Sequence, residues 1–212
     1  MIIAIDGPSA AGKGTLSRAL AAYYNLAFLD TGLLYRQIAL TAMERGIGVA
    51  QISDLLSIAS EIQKPVEESP IYRTLEVAEM TSQIATIADL RELVIDRQRF
   101  FAHNPPYGKD GTVLDGRDIG TVVCPDADRK IYITADLDAR VRRRQAEFLV
   151  QGIASEWDDV YTQMKVRDER DQKRSVAPMK PADDAYIIDT TTLTEQVVFQ
   201  IALEFIDMPR QV

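Results

Sequence analysis

A glycine-rich loop directly behind a short apolar run constrains the fold of this chain more than any other feature. The run Met1–Ile5 is followed by the loop residues Gly7, Pro8, Ser9, Ala10, Ala11, Gly12, Lys13, Gly14 and Thr15. A strand, a glycine-rich turn and a helix in this order predict a P-loop, whose main-chain N–H groups and helix N-terminus surround a polyphosphate. Lys13 adds a positive charge for the terminal phosphates.

The loop has the spacing G-x-x-x-x-G-K, but Gly14 follows the lysine and the hydroxyl comes one residue later, at Thr15. The strict pattern has Ser or Thr directly after the lysine. The form found here is more similar to small-molecule and nucleotide kinases than to GTPases or motor ATPases. A chance glycine-rich turn is the alternative, and the order of strand, loop, lysine and helix argues against it.

Composition narrows the possible ligands. The 212 residues are 46% hydrophobic and 26% charged, which is ordinary for a globular domain with a sizeable core. The net charge of −8 argues against a general nucleic-acid-binding surface. The stretch from Arg140 to Lys180 differs, because ten Lys or Arg face seven Asp or Glu there. Its local excess of positive charge suits a small anionic ligand.

We expect a cytoplasmic monomer with neither nucleic acid nor a membrane as partner. The single cysteine, Cys124, rules out an internal disulfide framework and fits a reducing compartment. The first residues resemble a strand rather than a signal peptide, and no apolar run approaches the roughly 20 residues that span a membrane. We interpret Cys124 as a buried apolar group and His103 as a structural or surface residue. Because the chain has only one of each, no Cys/His metal site is expected.

Five short apolar runs predict the strands of an α/β fold. They are Met1–Ile5, Leu26–Leu29, Thr112–Leu114, Lys130–Thr134 and Ala185–Ile188. Each is apolar for only a few residues, as buried parallel strands are. Helical patterns separate the runs, which favours crossover connections and a three-layer α/β/α arrangement with a five-stranded parallel sheet.

We interpret residues 1–212 as one P-loop domain whose core carries two additions. The core comprises residues 1–49, 106–139 and 175–212. Residues 50–105 form an insertion after the second strand. Its long helical stretch should break near residues 85–89, where Thr86 or Asp89 could cap a new helix. Residues 140–174 form a second, mobile addition of two helices, with Trp157 as a packing residue.

Two polar clusters follow the second and third strands. Asp30 and Thr31 lie where open α/β sheets bind ligands, and Thr31 can cap a helix that carries Tyr35 and Arg36. Arg36 could grip a phosphate with two parallel hydrogen bonds. A capped helix with a surface arginine is the structural alternative.

After the third strand, Asp115 is placed as a carboxylate that organises Mg²⁺. Gly116 allows a tight turn that lets Arg117 and Asp118 face the same cleft. The structural alternative is a simple polar turn.

A third cluster lies in a charged helix near residue 170. At helical spacing, Arg167, Arg170, Asp171 and Arg174 share one face. Most mixed charge runs are solvated, salt-bridged helices. Beside a P-loop, however, the arginines gain a role, because they can spread the negative charge of a transferring phosphoryl group.

Together these segments resemble the bacterial cytidylate kinases, a family of P-loop nucleoside monophosphate kinases. The matching segments are Ile5–Thr15, Leu29–Arg36, Ser82–Gln83, Asp115–Val123, Arg167–Asp171, Arg174–Pro178 and Ile188–Thr191. They occur in the family's order and cover nearly the whole chain. The segment D-G-R-D-x-G-T-V-V is the most specific of them.

The resemblance implies transfer of the γ-phosphoryl group of ATP to CMP or dCMP. It also implies that residues 50–105 bind CMP and residues 140–174 form a lid over ATP. The catalytic residues would be Lys13, Arg36, Arg117 and Arg174. Mg²⁺ would be bound mainly through ATP and water, with Asp115 or Thr15 assisting.

The resemblance assigns ten residues to the CMP pocket: Thr31, Tyr35, Arg36, Ser82, Arg91, Arg117, Asp118, Arg167, Asp171 and Arg174. Ser82, Arg91 and Asp118 would read the cytosine. Arg167 and Asp171 would hold the sugar hydroxyls. The acceptor phosphate would be held by Arg36, Arg117 and Arg174. Thr31 and Tyr35 would complete the pocket.

The chain departs from the family pattern in three places. Thr31 replaces a usual serine, Lys173 replaces a common asparagine, and the insertion lacks much of a β-hairpin around residues 63–75. Two other functions stay open: a P-loop kinase for another small acceptor, and a P-loop nucleotide-binding regulatory module. No N-K-x-D guanine motif is present, which argues against a GTPase.

Overall fold

The computed structural model describes residues 1–62 and 69–209, and its centre is a parallel five-stranded sheet. The strands are β1 (Ile2–Asp6), β2 (Ala27–Asp30), β3 (Thr112–Gly116), β4 (Arg129–Thr134) and β5 (Tyr186–Asp189). Their order is β2-β3-β1-β4-β5, and every neighbouring pair is parallel. The five predicted strands are confirmed, with ends that differ by one or two residues. Because the strands are parallel, the loops after β1, β2 and β3 meet at one edge.

Eight helices accompany the sheet in the described part of the chain. They are α1 (Lys13–Tyr23), α2 (Thr31–Glu44), α3 (Ile52–Glu61), α4 (Leu75–Ile84), α5 (Ala88–His103), α6 (Leu137–Val150), α7 (Trp157–Lys173) and α8 (Glu195–Asp207). A 3-10 turn (Pro70–Arg73) precedes α4, and a π-helical turn (Ile119–Val123) follows β3.

Apolar side chains cover both faces of the sheet, which confirms the predicted three-layer fold. On one face, Ile3 and Ile5 of β1 pack in a buried cluster with Leu20 of α1 and Val198 of α8. On the other face, Ala4, Leu29 and Leu114 pack with Ile95 of α5 and the π-helical turn. Strand residues alternate between the two faces because successive side chains point to opposite sides. The sheet is therefore buried on both sides.

The helices between β2 and β3 build a second apolar cluster beside the sheet. Ile38 of α2, Leu55 and Ile58 of α3, Ile84 of α4 and Leu90 of α5 are all buried there. The predicted break is confirmed, because α4 ends at Ile84 and α5 begins at Ala88.

The predicted cap of α5 is wrong. Ile87 precedes the helix, Asp89 lies in its first turn, and Thr86 Oγ1 donates instead to the Gln83 carbonyl. The missing hairpin lies partly outside the described residues, since residues 63–68 are not among them. The described part of that region contains the 3-10 turn before α4.

α6 and α7 pack against each other through Val141, Phe148, Val160 and Met164. Trp157 packs against this cluster, with Arg142 over its ring, which agrees with its predicted packing role. Cys124 is fully buried and His103 is exposed beside Asp126, as expected for structural residues. Within residues 1–62 and 69–209, no helix is both long and apolar enough to cross a membrane.

Candidate active site

The loop after β1 adopts the backbone conformation that a P-loop requires. Gly7 has a φ of 144°, and a Cβ there would lie only 1.9 Å from the Ile133 carbonyl oxygen. Gly12, with a φ of 98°, directly precedes α1. Glycine adopts these left-handed conformations without the steric cost that a side chain adds. The loop can therefore lie against β4 and still deliver its chain to the helix N-terminus.

Lys13 is buried at the start of α1, and its Nζ donates to the Pro8 carbonyl at 2.8 Å. Burial and repulsion from Arg117 lower the pKa of Lys13 from 10.5 to about 7. Burial removes water that would otherwise stabilise the ammonium group. An anion bound at the loop would supply the missing negative charge.

A cavity of about 210 Å³ opens at this edge of the sheet. It brings together most of the predicted site residues: Ser9, Ala10, Gly12, Lys13, Gly14, Thr15, Thr31, Tyr35, Arg36, Ser82, Arg91, Asp115, Arg117, Asp118, Arg167, Asp171 and Arg174. They come from the loops after three strands and from α4, α5 and α7. The cavity thus joins segments that are far apart in sequence.

Three predicted loop residues do not line this cavity. Gly7 lies against β4, Pro8 turns its carbonyl to Lys13, and Ala11 is fully buried. The Ala11 carbonyl accepts a hydrogen bond from Thr190 Oγ1 at 3.0 Å. These residues therefore shape and fix the loop.

The rim after β2 differs from the prediction in one respect. Asp30, rather than Thr31, caps α2, because its Oδ1 accepts from the Leu33 N–H at 3.1 Å. Thr31 lies inside the helix, and its Oγ1 donates to the Asp115 carbonyl at 2.6 Å. Arg36 pairs with the Asp30 carboxylate at 3.4 Å. The threonine hydroxyl thus ties the start of α2 to β3 at the cavity wall.

Two buried aspartates hold the base of the cavity. The Asp6 carboxylate accepts hydrogen bonds from the N–H groups of Ile119 and Gly120, at 2.8 and 2.7 Å, which fixes the turn after β3. Burial raises the pKa of Asp6 to about 6. Burial and repulsion from Asp30 raise the pKa of Asp115 to about 7. A cation near Asp115 would favour its ionised form.

Ser82 and Arg91 both face the cavity, although nine residues separate them. Arg91 pairs with the Asp118 carboxylate and donates to the Ala85 carbonyl at 3.2 Å. Its guanidinium also lies 5.9 Å from the Tyr35 ring centroid. The Ser82 Oγ is buried without a hydrogen-bond partner among the residues that the structure describes. Buried hydroxyl groups normally have a partner, so this one is suited to a ligand.

At the opposite wall, one carboxylate serves three arginines. Asp171 Oδ2 lies 3.1 Å from Arg117 Nε and 4.0 Å from Arg167 Nε. Asp171 Oδ1 lies 3.8 Å from Arg174 Nη2. Burial alone would raise the pKa of Asp171, but the three guanidinium groups hold it below its usual value. One carboxylate cannot neutralise three cations, so positive charge remains.

Arg170 does not belong to this group, so its predicted place on the shared face is wrong. It turns away from the cavity to Glu79 of α4, with Nη2 to Oε1 at 2.9 Å. Lys173 is exposed and pairs with Glu169. Arg174 lies just beyond the end of α7, yet its side chain is buried against the cavity.

Several cavity residues were not predicted: Arg18, Gly32, Arg73, Thr81, Ala85, Gln98, Gly116, Arg144 and Glu147. With them, nine basic and five acidic side chains line the cavity. The excess of positive charge favours a ligand with several negative charges. Arg144 lies in the basic stretch from Arg140 to Lys180, which suits an anionic ligand. Nothing in the sequence around Arg73 indicated a binding role. Arg73 only precedes Thr74, a residue suited to cap a helix.

A second cavity of about 300 Å³ lies on the other side of the P-loop, between α1 and α8. Leu16, Leu193, Val198 and Phe199 make it mostly apolar, and Arg143 is at its border. Gly12 and Thr15 line both cavities. A ligand with a flat apolar end and a polyphosphate end could therefore use both.

Comparisons with known proteins place the chain in a family. The family model described as cytidylate kinase matches residues 3–208. The cytidylate kinase of Methylocella silvestris is 44% identical over 207 residues, which cover 98% of this chain and 94% of that protein. The cytidylate kinase of Paramagnetospirillum magneticum is 43% identical over 209 residues, which cover 99% of each chain.

Among solved structures, a shikimate kinase from Bacteroides thetaiotaomicron matches with a TM-score of 0.53 and 16% identity, over 98% of this chain and 99% of that chain. An uncharacterized protein from Eubacterium ventriosum matches with a TM-score of 0.55 and 15% identity, over 99% of each chain. These likenesses concern the fold alone. The sequence matches and the family model, which span nearly the whole chain, show that it belongs to the cytidylate kinase family of ATP-dependent phosphotransferases.

Proposed function

We propose that this protein transfers the γ-phosphoryl group of ATP to CMP or dCMP. The observation that carries the proposal is that Lys13 lines the same cavity as Ser82, Arg91 and Asp118. The P-loop suits a polyphosphate donor, and the other three residues offer the polar groups that a pyrimidine base can bind. Curated relatives named cytidylate kinase support this reading.

The donor would span both cavities. Its triphosphate would lie against the P-loop and Lys13, and its base would occupy the apolar cavity bordered by Leu193, Phe199 and Arg143. Helix N-termini bind phosphates because their first N–H groups are not paired within the helix. The helix α1, which begins at Lys13, provides such an end.

The acceptor would lie between α4, α5 and α7. Ser82 Oγ and the Arg91–Asp118 pair would read the edge of the cytosine, and Asp171 with Arg167 would hold the sugar hydroxyls. A site built to hydrogen-bond its substrate rejects analogues that leave those groups unpaired. Arg36, Arg117 and Arg174 would hold the acceptor phosphate.

Catalysis would rest on positioning and charge. Phosphoryl transfer needs little covalent chemistry from the protein, so Lys13 and the converging arginines would stabilise the charge on the transferring group. A closed lid of residues 140–174 would exclude water that would otherwise hydrolyse ATP. We propose that residues 140–174, as the lid, and residues 50–105, as the acceptor-binding insertion, are separate additions to one core.

The site offers oxygen atoms of the kind that bind Mg²⁺. Asp115 and the exposed residue Thr15 both line the cavity beside the P-loop, and burial raises the pKa of Asp115. The described residues contain no cluster of three or more His, Cys, Asp or Glu side chains arranged to hold a metal. We therefore propose that ATP and water supply most ligands, with Asp115 or Thr15 assisting. When bound, the ion would neutralise phosphate charge.

A coupled assay of ADP release against CMP, dCMP, UMP, AMP and GMP tests the proposal. We expect strong acceleration by CMP or dCMP and little by AMP or GMP. Equal rates with AMP would instead indicate a kinase for another acceptor. Slow hydrolysis that no acceptor accelerates would favour a regulatory nucleotide-binding module.

A further inference from the structure

Arg73 lies on the cavity wall at the end of the 3-10 turn Pro70–Arg73. Two contacts fix this turn. Thr74 Oγ1 accepts from the Val77 N–H at 3.3 Å and so caps α4. Arg144 Nη2 of α6 donates to the Arg73 carbonyl at 2.8 Å. The backbone that carries Arg73 is therefore held from both the insertion and the α6 helix.

Arg73 shares the cavity wall with Arg36, Asp30 and Glu147. Burial and repulsion from Arg36 lower the pKa of Arg73, while Glu147 and Asp30 act in the opposite direction. Arg36 and Arg73 also lower the pKa of Asp30, against the effect of its burial. Arg36 lies 3.4 Å from the Asp30 carboxylate, and Arg73 lines the same cavity. A phosphate dianion placed between them would relieve their mutual repulsion.

Arg73 and Ser82 belong to one continuous piece of chain. Nine residues separate them, mostly in α4, which corresponds to roughly 12–14 Å along the helix axis at 1.5 Å per residue. This one element can therefore contact both the base end and the phosphate end of a single nucleotide. Lys13 and the P-loop, which suit the donor phosphates, line the same cavity.

We propose, resting on the proposed function, that Arg73 is a further contact to the phosphate of the acceptor monophosphate. Arg73 acts beside Arg36. It lies in the turn that directly precedes α4, the helix that carries Ser82. The contact makes recognition of the base and of the phosphate depend on one insertion helix and its preceding turn.

The test compares CMP with cytidine, which has the same base and sugar but no phosphate. Binding of each is measured by calorimetry or competition for the unmodified protein, Arg73→Gln and Arg73→Lys. Arg45→Ala is the matched control, because Arg45 forms an exposed ion pair with Glu61 away from the cavity. We expect Arg73→Gln to weaken CMP binding about tenfold to a hundredfold, the range for lost hydrogen bonds to charged groups.

The same variant should leave the affinities for cytidine and ATP unchanged, and Arg73→Lys should recover part of the CMP affinity. Equal losses for CMP and cytidine would overturn the proposal in favour of a structural role. Weaker ATP binding would place Arg73 at the donor, and unchanged CMP binding would remove it from the phosphate site. If the unmodified protein neither binds nor phosphorylates CMP, the proposed function itself fails, and the Arg73 proposal falls with it.

Discussion

Arg117 Nε donates to Asp171 Oδ2 at 3.1 Å, which joins the turn after β3 to α7 across 54 positions of sequence. Arg167 and Arg174 approach the same carboxylate. The Asp171 carboxylate therefore holds together three cations that would otherwise repel one another. This carboxylate supplies the negative charge that the three neighbouring guanidinium groups require.

Replacing this carboxylate should destabilise the nucleotide-free protein. We expect Asp171→Asn to lower the free energy of unfolding by roughly 3 kcal/mol, as breaking a buried ion pair does. Urea denaturation measures the change. Glu169→Gln is the control, because Glu169 forms an exposed pair with Lys173. An equal loss of stability in Asp171→Asn and Glu169→Gln would contradict this expectation.

The pKa of Asp171 is lowered on folding. The contribution of Asp171 to the free energy of unfolding should therefore be full above about pH 3.8 and be lost as the pH falls through the folded pKa.

Removing the P-loop lysine should affect the reaction more than the fold. Lys13→Ala removes one positive charge from the phosphate site, and losing one transition-state contact typically costs about 3–4 kcal/mol. We therefore expect kcat to fall by two to three powers of ten. Steady-state kinetics with CMP measure it, and thermal unfolding checks that the variant is folded. Retention of most activity in a folded variant would remove Lys13 from its assigned role.

Binding of ATP should take up protons at alkaline pH. Because the pKa of Lys13 is lowered to about 7 in the free protein, much of this lysine is neutral at pH 8.5. A bound triphosphate favours the ammonium form and raises that pKa, so the complex takes up protons. Calorimetry in two buffers with different ionisation enthalpies measures the uptake.

Lys13→Met should lose this uptake. Lys173→Met should keep it, because Lys173 is exposed on α7. Uptake of the same size in Lys13→Met would show that another group is responsible.

Neighbouring basic residues at the end of α7 should differ in their effects. Arg174 is buried against the cavity and near Asp171, whereas Lys173 is exposed and pairs with Glu169. Arg174→Ala should therefore lower kcat/KM for CMP by at least tenfold, and Lys173→Ala by less than twofold. Initial-rate measurements at varied CMP decide the matter. Comparable losses would mean that the cavity face of this segment is wrongly assigned.

Much of the fold could be predicted because its signals are local. Short apolar runs gave all five strands, and the P-loop gave the edge of the sheet at which ligands bind. Ser82 and Arg91 would lie on opposite sides of one straight helix, so a pocket that both residues reach requires a break between α4 and α5. Their shared cavity requires the turn at residues 85–87.

The errors and omissions arise where tertiary contacts decide between similar local choices. Asp30 and Thr31 can each cap a helix, and the hydrogen bond from Thr31 to β3 leaves the cap to Asp30. Arg170 has the helical spacing of a site residue, but Glu79 of α4 attracts it away. Arg73 was missed because its place in the cavity depends on the path of the insertion rather than on any spacing along the chain.

The sheet order also affects how the molecule is assembled during synthesis. β1 lies between β3 and β4, so residues 2–6 pair with residues 112–116 and residues 3–6 pair with 129–132. Closing such long loops costs entropy before any contact compensates, and folding dominated by distant pairings is slow. The strand that precedes the P-loop is therefore made well before either of its neighbours. It has both of them only once residues 129–132 of β4 have also been made.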